Sequence, residues 1–179
     1  MLVRRPPQRG FSLIEVLVAV AIIGIVMALG IPAFTTWIQN TQIRTAAETI
    51  MSGLQTARNE AIRRNASIQF KLDAAGTTQW RVNFKSDPED NPLQRRVAEE
   101  GSPNATILIT PGGADTVTFS ALGRVVDNAD ASPPIATIEI DNPLITVAAD
   151  RRKLQIVIPV GGAIRMCDPK VLAPDPRAC

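Results

Sequence analysis

The fold is decided by the stretch Gly10-Phe11-Ser12-Leu13-Ile14-Glu15, which opens an apolar run that reaches Ile38. Between Phe11 and Ile38 the one ionisable side chain is that of Glu15. About 20 apolar residues in a helix are enough to cross a hydrocarbon core of about 30 Å. The run is too long for a buried core helix, and a secretory signal peptide would have a shorter apolar region followed by a cleavage site. We therefore predict a membrane-spanning helix over residues 11–37.

Basic residues are concentrated before the apolar run. Arg4, Arg5 and Arg9 precede it and none lies within it. This asymmetry predicts that the N-terminus stays in the cytoplasm and that the rest of the chain is exported. Of the 19 Lys and Arg side chains three belong to this leader, so residues 11–179 carry 16 basic and 17 acidic side chains. A nearly neutral body argues against a nucleic-acid-binding surface that covers the whole domain.

Glu15 is the exception within the apolar run. A carboxylate inside lipid costs about 2.5–3.5 kcal/mol on insertion scales, so it needs a cationic partner. The run contains no basic side chain. Cleavage after Gly10 would create a cation, because Phe11 would then carry a free amine about 6 Å of helix rise from Glu15. In a helical stack, the amine of one subunit would neutralise the glutamate of its neighbour.

The composition excludes most catalytic and metal-binding classes. The chain has no histidine and two cysteines, which removes Ser-His-Asp and Cys-His nucleophiles and most zinc sites. The acidic segment 87–91 offers oxygen atoms to calcium, but it lacks the glycine and closing glutamate of an EF-hand loop. We predict a solvated loop there, and neither an enzyme, nor a cofactor, nor a metal site.

A second helical half follows the apolar run. Pro32 is expected to kink the helix without ending it. Apolar residues then recur at steps of three and four from Ile43 to Ala61, with polar residues between them. This spacing predicts an amphipathic helix laid against an apolar surface. Arg63 and Arg64 suit its C-terminus and Asn65 suits a left-handed cap, so one helix over 11–64 would be about 80 Å long.

Beyond Asn65 the pattern changes to alternation with period two, which is typical of strands. Residues 67–72 and 79–84 read as a hairpin, and five further strands are expected at 105–110, 116–120, 135–140, 154–160 and 162–166. No βαβ repeat is present. The sequence therefore predicts an α+β fold in which the amphipathic half-helix packs on antiparallel β-sheet.

The N-terminal motif resembles the class III signal of type IV pilins and type II secretion pseudopilins. Within the body, residues 54–65, 118–125 and 161–167 are similar to motifs of the GspH/FimT family. The resemblance implies a type IV pilin fold. It also implies that a prepilin peptidase cuts between Gly10 and Phe11 and N-methylates Phe11, and that Glu15 serves assembly into the filament.

The resemblance further implies a role. It favours a minor pilin of the type IV pilus that primes or caps the filament and supports adhesion and twitching motility. The alternative is a minor pseudopilin of a type II secretion system. The partners would be other major and minor pilins or pseudopilins. The chain would divide into a leader (1–10), a transmembrane and filament-core segment (11–37) and a periplasmic or extracellular pilin domain (38–179), anchored in the inner membrane before assembly.

The two cysteines, Cys167 and Cys179, both fall on the exported side of the predicted topology. Oxidising compartments favour disulfides, so we expect a bond that closes a loop over 167–179. Two free thiols are the alternative. The loop between them has three prolines and no periodicity, so it gains order from such a bond and presents a surface for assembly.

A third hypothesis concerns DNA. Some FimT-type members are DNA receptors for natural transformation, and by resemblance they carry a Gly-Arg-x-Arg tail motif. Here the stretch reads Gly162-Ala163-Ile164-Arg165, so the first arginine is missing. Arg165, Lys170 and Arg177 would be the contacts, but Asp168 and Asp175 offset part of their charge. We expect little DNA binding, because each lost phosphate contact weakens the interaction.

Overall fold

The computed structural model describes residues 10–87 and 91–179, apart from the side chains of Leu29 and Pro32. These residues form two compact units, one ending at Trp37 and one spanning Ile38–Cys179. Their regular elements are one long helix and nine strands. This is the α+β class predicted from the sequence.

Helix α1 spans Leu13–Arg64 and contains 52 residues. It begins two residues later than predicted, because the Ser12 side chain acts as its cap: the Glu15 backbone N–H donates to Ser12 Oγ at 3.3 Å. The helix continues through Pro32. It ends at Arg64 because Asn65 takes a left-handed conformation, with φ at 50°, which is the cap that the sequence indicated.

The N-terminal unit contains the apolar part of α1. Its large apolar side chains are exposed, among them Phe11, Leu17, Ile25, Ile31 and Phe34. By length and composition alone, α1 is long and apolar enough near its N-terminus to cross a membrane. The rings of Phe34 and Trp37 stack with their centroids 5.8 Å apart.

The second unit contains the rest of α1 and two antiparallel sheets. The first sheet has the strand order β3-β2-β1-β5-β6 and the second has the order β4-β7-β8-β9. The strands are β1 (Ile68–Leu72), β2 (Trp80–Phe84), β3 (Gln94–Arg96), β4 (Thr106–Thr110), β5 (Thr116–Phe119), β6 (Val125–Val126), β7 (Thr137–Asp141), β8 (Leu154–Val157) and β9 (Arg165–Cys167).

The predicted hairpin forms between β1 and β2, with Ile68 opposite Phe84 and Leu72 opposite Trp80. The sequence missed β3 and β6. The first is a polar edge strand of three residues and the second has two residues, so neither carries an alternating apolar pattern. The strand expected at 154–160 ends at Val157, shortly before Pro159, and the one expected at 162–166 is the shorter β9.

One apolar core joins the helix to both sheets. Ile43, Ile50 and Leu54 of α1 are fully buried, at the helical spacing that the sequence predicted. At Gly53 the helix comes so close to the first sheet that an added Cβ would lie 2.9 Å from Phe70 and from Trp80. The remaining large buried side chains come from the strands and loops: Ile68, Val82, Phe119, Ile135, Ile138, Ile140 and Ile156.

Candidate processing and assembly sites

The predicted cleavage site lies in exposed backbone before the helix. Gly10 and Phe11 are both exposed, and the Phe11 side chain is 82% accessible. Because Ser12 caps the helix, the Gly10–Phe11 peptide bond stands outside the helical hydrogen-bond ladder. The bond is therefore accessible and outside the helix, as a peptidase substrate must be. Residues 1–9, which include Arg4, Arg5 and Arg9, lie outside the described residues.

Glu15 lies in the first turn of α1, where a carboxylate complements the positive end of the helix dipole. Its side chain is exposed and its backbone N–H is bonded to the cap. Residues 10–37 contain no lysine or arginine. Among the described residues of its unit, 10–37, Glu15 therefore has no basic side chain to pair with, and its role in assembly stays a prediction.

Three amide side chains form a polar collar on α1, directly after the apolar run: Gln39, Asn40 and Gln42. Asn142 Nδ2 donates to Gln39 Oε1 at 2.7 Å. The backbone N–H of Asn104 donates to Gln42 Oε1 at 3.2 Å. The collar thus binds loops that are more than 60 residues away in sequence, which the sequence analysis did not predict.

Asn40 completes the collar with two bonds to a single loop. Its Nδ2 donates to the Asp150 carbonyl at 2.9 Å, and its Oδ1 accepts from the Arg152 backbone N–H at 2.9 Å. In the sequence, the one indication of this contact was an uncharged amide at the end of an apolar run. That pattern does not identify the loop to which Asn40 is bonded.

At the far end of α1 two glycine turns contact each other beside Arg58. Arg58 Nε donates to the Gly123 carbonyl at 3.1 Å. Gly123 and Gly162 have φ of 71° and 77°, in the region that favours glycine. A Cβ on Gly162 would collide with the Gly123 carbonyl, and one on Gly123 would lie 2.9 Å from Ile62 Cδ1. The motif residues quoted from the sequence therefore meet at one point.

The predicted disulfide is present between Cys167 and Cys179, with their Cα atoms 5.1 Å apart. The loop that it closes is held by further bonds. The Asp168 N–H donates to the Arg177 carbonyl at 2.7 Å, and the Val171 N–H donates to the Asp168 carbonyl at 3.2 Å. The tail is therefore an ordered appendage of β9.

The three candidate DNA contacts are all engaged by acceptors of this chain. Arg165 donates to the Cys179 carbonyl at 2.8 Å. Lys170 Nζ donates to the carbonyls of Ala148 at 2.7 Å and Arg151 at 2.6 Å.

Arg177 forms an ion pair with Asp175 at 2.9 Å. The pair lowers the pKa of Asp175 to about 2 and raises the pKa of Arg177. Arg177 is therefore neutralised by Asp175, while Arg165 and Lys170 are hydrogen-bonded to backbone carbonyls.

No group of three or more metal-ligating side chains occurs within residues 10–87 and 91–179. Residues 88–90 of the acidic segment, considered above for calcium, lie outside the described residues.

Comparisons with known proteins support the same family. The profile "Type II transport protein GspH" matches residues 46–162, and the profile "Prokaryotic N-terminal methylation motif" matches residues 5–31. A fimbrial protein of Pseudomonas aeruginosa is 43% identical over 77 residues, which are 43% of this chain and 49% of that protein. A fimbrial protein of Moraxella nonliquefaciens is 42% identical over 50 residues, 28% of this chain and 32% of that protein. The matched residues span about half, or less, of the length of these relatives.

A crystal structure of the type IV minor pilin FimU from Pseudomonas aeruginosa has the same fold. It aligns with a TM-score of 0.50 at 19% identity, covering 72% of this chain and 92% of that one. The GspH family consists of structural proteins and not of enzymes. Since its profile covers about two thirds of the sequence, and a methylation motif stands before it, the chain belongs to the GspH family of type IV pilin-like proteins.

Proposed function

We propose that this chain is a minor pilin of the type IV pilus that helps to prime or cap the filament, in support of adhesion and twitching motility. The observation that carries the proposal is the arrangement at the N-terminus. An exposed Gly10–Phe11 bond precedes a Ser12-capped helix with Glu15 in its first turn, and a GspH-family body follows. The fimbrial relatives and the FimU fold support the pilus over other machines.

The N-terminal unit supplies the membrane anchor and then the filament core. Its exposed apolar side chains require lipid around them before assembly. In the filament, the helices of neighbouring subunits take the place of lipid, and association then depends on packing and on polar groups such as Glu15. The free amine of Phe11 in one subunit neutralises Glu15 in the next. Prepilin peptidase, which exposes that amine, and the other pilins are the partners.

We further propose that the chain divides into a leader (1–10), a membrane and filament-core segment (11–37) and a pilin domain (38–179). We place the N-terminus in the cytoplasm, the span in the inner membrane and the body in the periplasm or outside the cell. The disulfide supports this topology, because such bonds persist in oxidising compartments.

Processing is the direct test. Intact-mass spectrometry compares the protein from cells with and without prepilin peptidase. The expected difference is loss of Met1–Gly10 and gain of one methyl group. A Gly10→Leu variant should keep its leader, while Gly24→Leu, the same change within the span, should be processed normally. An intact leader on the unmodified chain in peptidase-positive cells would refute the proposal.

A minor pseudopilin of a type II secretion system is the second candidate, favoured by the description of the matching family profile. The phenotype of a deletion strain distinguishes the pilus from the secretion system. Loss of surface filaments and twitching, restored by the intact gene, supports the pilus. Loss of exoprotein secretion with normal filaments would support the pseudopilin.

DNA reception is the third reading, and the contacts of the tail favour weak binding. We expect a dissociation constant of about 10⁻⁴ M or weaker for duplex DNA, in the range of non-specific contacts. Fluorescence anisotropy with the full chain in detergent, at low and moderate salt, measures this. Tight binding with a steep salt dependence that Arg165→Ala and Arg177→Ala both reduce would instead support a DNA receptor, with Lys170 as the third contact.

A further inference from the structure

Residues 142–152 form a loop, here called the collar loop, whose two ends are bound to the polar collar. At one end Asn142 Nδ2 donates to Gln39 Oε1 at 2.7 Å. At the other end Asn40 bonds both the Asp150 carbonyl and the Arg152 N–H at 2.9 Å. The loop is therefore fixed to two adjacent helix residues.

The tip of the collar loop exposes two apolar side chains on an ordered backbone. Leu144 is 58% exposed and Val147 is 55% exposed, whereas Ile145 between them is buried. The Leu144 N–H donates to Asn142 Oδ1 at 3.0 Å, and the Asp150 N–H donates to the Val147 carbonyl at 3.1 Å. These bonds hold the loop in shape without covering either side chain.

Backbone carbonyls of the collar loop are satisfied from within the chain. Lys170 Nζ donates to the carbonyls of Ala148 and Arg151. The Arg151 guanidinium donates to the Ile145 carbonyl and pairs with Asp141 at 3.2 Å. A loop that enters an apolar medium must satisfy its polar groups internally, because an unpaired carbonyl there costs several kcal/mol. Lys170, which the sequence analysis considered as a DNA contact, thus holds the backbone of the collar loop.

Chain connectivity places the collar next to the membrane. The helical residues 13–37 of the span, at 1.5 Å per residue, extend about 38 Å, which exceeds the hydrocarbon core of about 30 Å and approaches the 40–45 Å of a bilayer with its headgroups. Asn40 follows Trp37 by three residues, or about 4.5 Å of helix rise. Tryptophan is enriched at this depth. Asn40, and with it the loop that it binds, therefore follows directly after the proposed span in the chain.

We propose that Leu144 and Val147 insert into the interfacial region of the bilayer that holds the span, so that the collar loop seats the body on the membrane before assembly. The inference rests on the proposed membrane anchoring. We assign lipid as the partner of Leu144 and Val147 because lipid lies next to the collar in every unassembled subunit. The two side chains that make the proposed contact are apolar, so we expect the contact to form with uncharged lipid.

Depth-dependent fluorescence quenching tests the contact. The full chain is placed in phosphatidylcholine vesicles whose lipids are brominated near the headgroup end or near the chain terminus. In a Trp37→Phe background, Leu144→Trp and Val147→Trp each add one reporter, with buried Trp80 as a constant background.

The matched control is Leu122→Trp. Leu122 is 80% exposed but precedes Gly123, which lies against Ile62, about 33 Å of helix beyond Asn40. It is therefore an equally accessible reporter that should remain in water.

We expect the reporters at 144 and 147 to lose emission to the shallow bromines as strongly as Trp37 does in the parent chain, and the reporter at 122 to lose none. Quenching of Trp37 without quenching at 144 and 147 would overturn the inference and leave the proposed function standing. A neighbouring protein subunit would then be the better occupant. Equal quenching at 122 would also overturn it. Absence of Trp37 quenching would overturn the span and the inference together.

Discussion

The two halves of helix α1 have opposite relations to the rest of the chain. From Leu13 to Trp37 the described large apolar side chains are exposed, whereas after Ile38 those on one face are fully buried, as at Ile43, Ile50 and Leu54. Both halves are helical, but the first is almost wholly apolar and the second is amphipathic. They differ in spacing, since apolar residues are continuous in the first half and recur every three or four residues in the second. Apolar residues all round a helix indicate a partner outside the chain, whereas an apolar stripe at steps of three and four residues indicates a partner inside it.

Replacing the one charge of the exposed half should have the largest effect on function. Glu15→Val removes the proposed partner of the Phe11 amine, so we expect filament incorporation to be lost. Membrane insertion should be unchanged or improved, because a lipid-embedded carboxylate is costly. Immunoblots of sheared filaments and membrane fractions measure the two outcomes. Normal incorporation would refute the amine–carboxylate pairing, and Glu15→Asp serves as the charge-conserving control.

Equal truncations in the two halves should differ sharply in their effect on stability. Leu54→Ala leaves a cavity in the core and should lower the free energy of unfolding of the body by about 2–5 kcal/mol. Leu17→Ala, at a 57% exposed site, should change it by less than about 0.5 kcal/mol. Urea unfolding in detergent, followed by the fluorescence of buried Trp80, measures both. Similar losses for the two variants would mean that the halves do not differ as described.

Opening the disulfide should affect the body alone. Cys167→Ser or Cys179→Ser removes a cross-link over 12 residues and should cost about 3 kcal/mol on the chain-entropy account. The same urea experiment, run with and without reductant, should show a shift for the parent and none for a Cys167→Ser, Cys179→Ser double variant. A parent midpoint insensitive to reductant would contradict the prediction. Helicity of the N-terminal unit, measured by circular dichroism, should not change.

The smallest effect is expected at the end of the buried half, where Glu60 bonds Arg63 at 2.6 Å and Arg64 at 2.5 Å. Bonding to Arg63 and then to Arg64 lowers the Glu60 pKa from 4.5 to about 2. A lowered pKa in the folded state stabilises the fold above about pH 4.5, and this contribution is lost as the pH falls through about 2.

The pH dependence of unfolding checks this sign. Between pH 5 and pH 2.5, Glu60→Gln should lose less stability than the parent. Glu99→Gln, at an exposed turn residue, should follow the parent. The difference should be small, because exposed ion pairs contribute little. A Glu60→Gln curve parallel to that of the parent would show that this carboxylate does not contribute.

Local periodicity made much of the fold predictable. The steps of Ile43, Ile50 and Leu54 identified the buried face of α1, and the alternation of residues 67–72 and 79–84 identified the hairpin. The cysteine pair was predictable because only two cysteines exist and both fall on the exported side. Edge strand Gln94–Arg96 was missed because three polar residues carry no alternation.

Contacts between distant segments were not predictable. Asn40 with Asp150, and Arg58 with Gly123, join residues separated by 110 and 65 positions. Nothing in either local sequence identifies its partner. The same holds for Lys170, whose charge indicated a phosphate contact, although its ammonium group is bonded to two carbonyls of the collar loop.

The contact between the Gly123 and Gly162 turns limits where a peptide segment, such as an epitope tag, can be inserted into this chain. Because the two turns touch through backbone atoms, with Arg58 beside them, neither can accept an inserted segment unless the other moves. At Gly76 and at Gly112–Gly113, by contrast, an added Cβ would meet nothing within 4 Å. Because the Gly76 carbonyl accepts a hydrogen bond from the Ile107 N–H, an epitope for locating this subunit along a filament belongs at Gly112–Gly113.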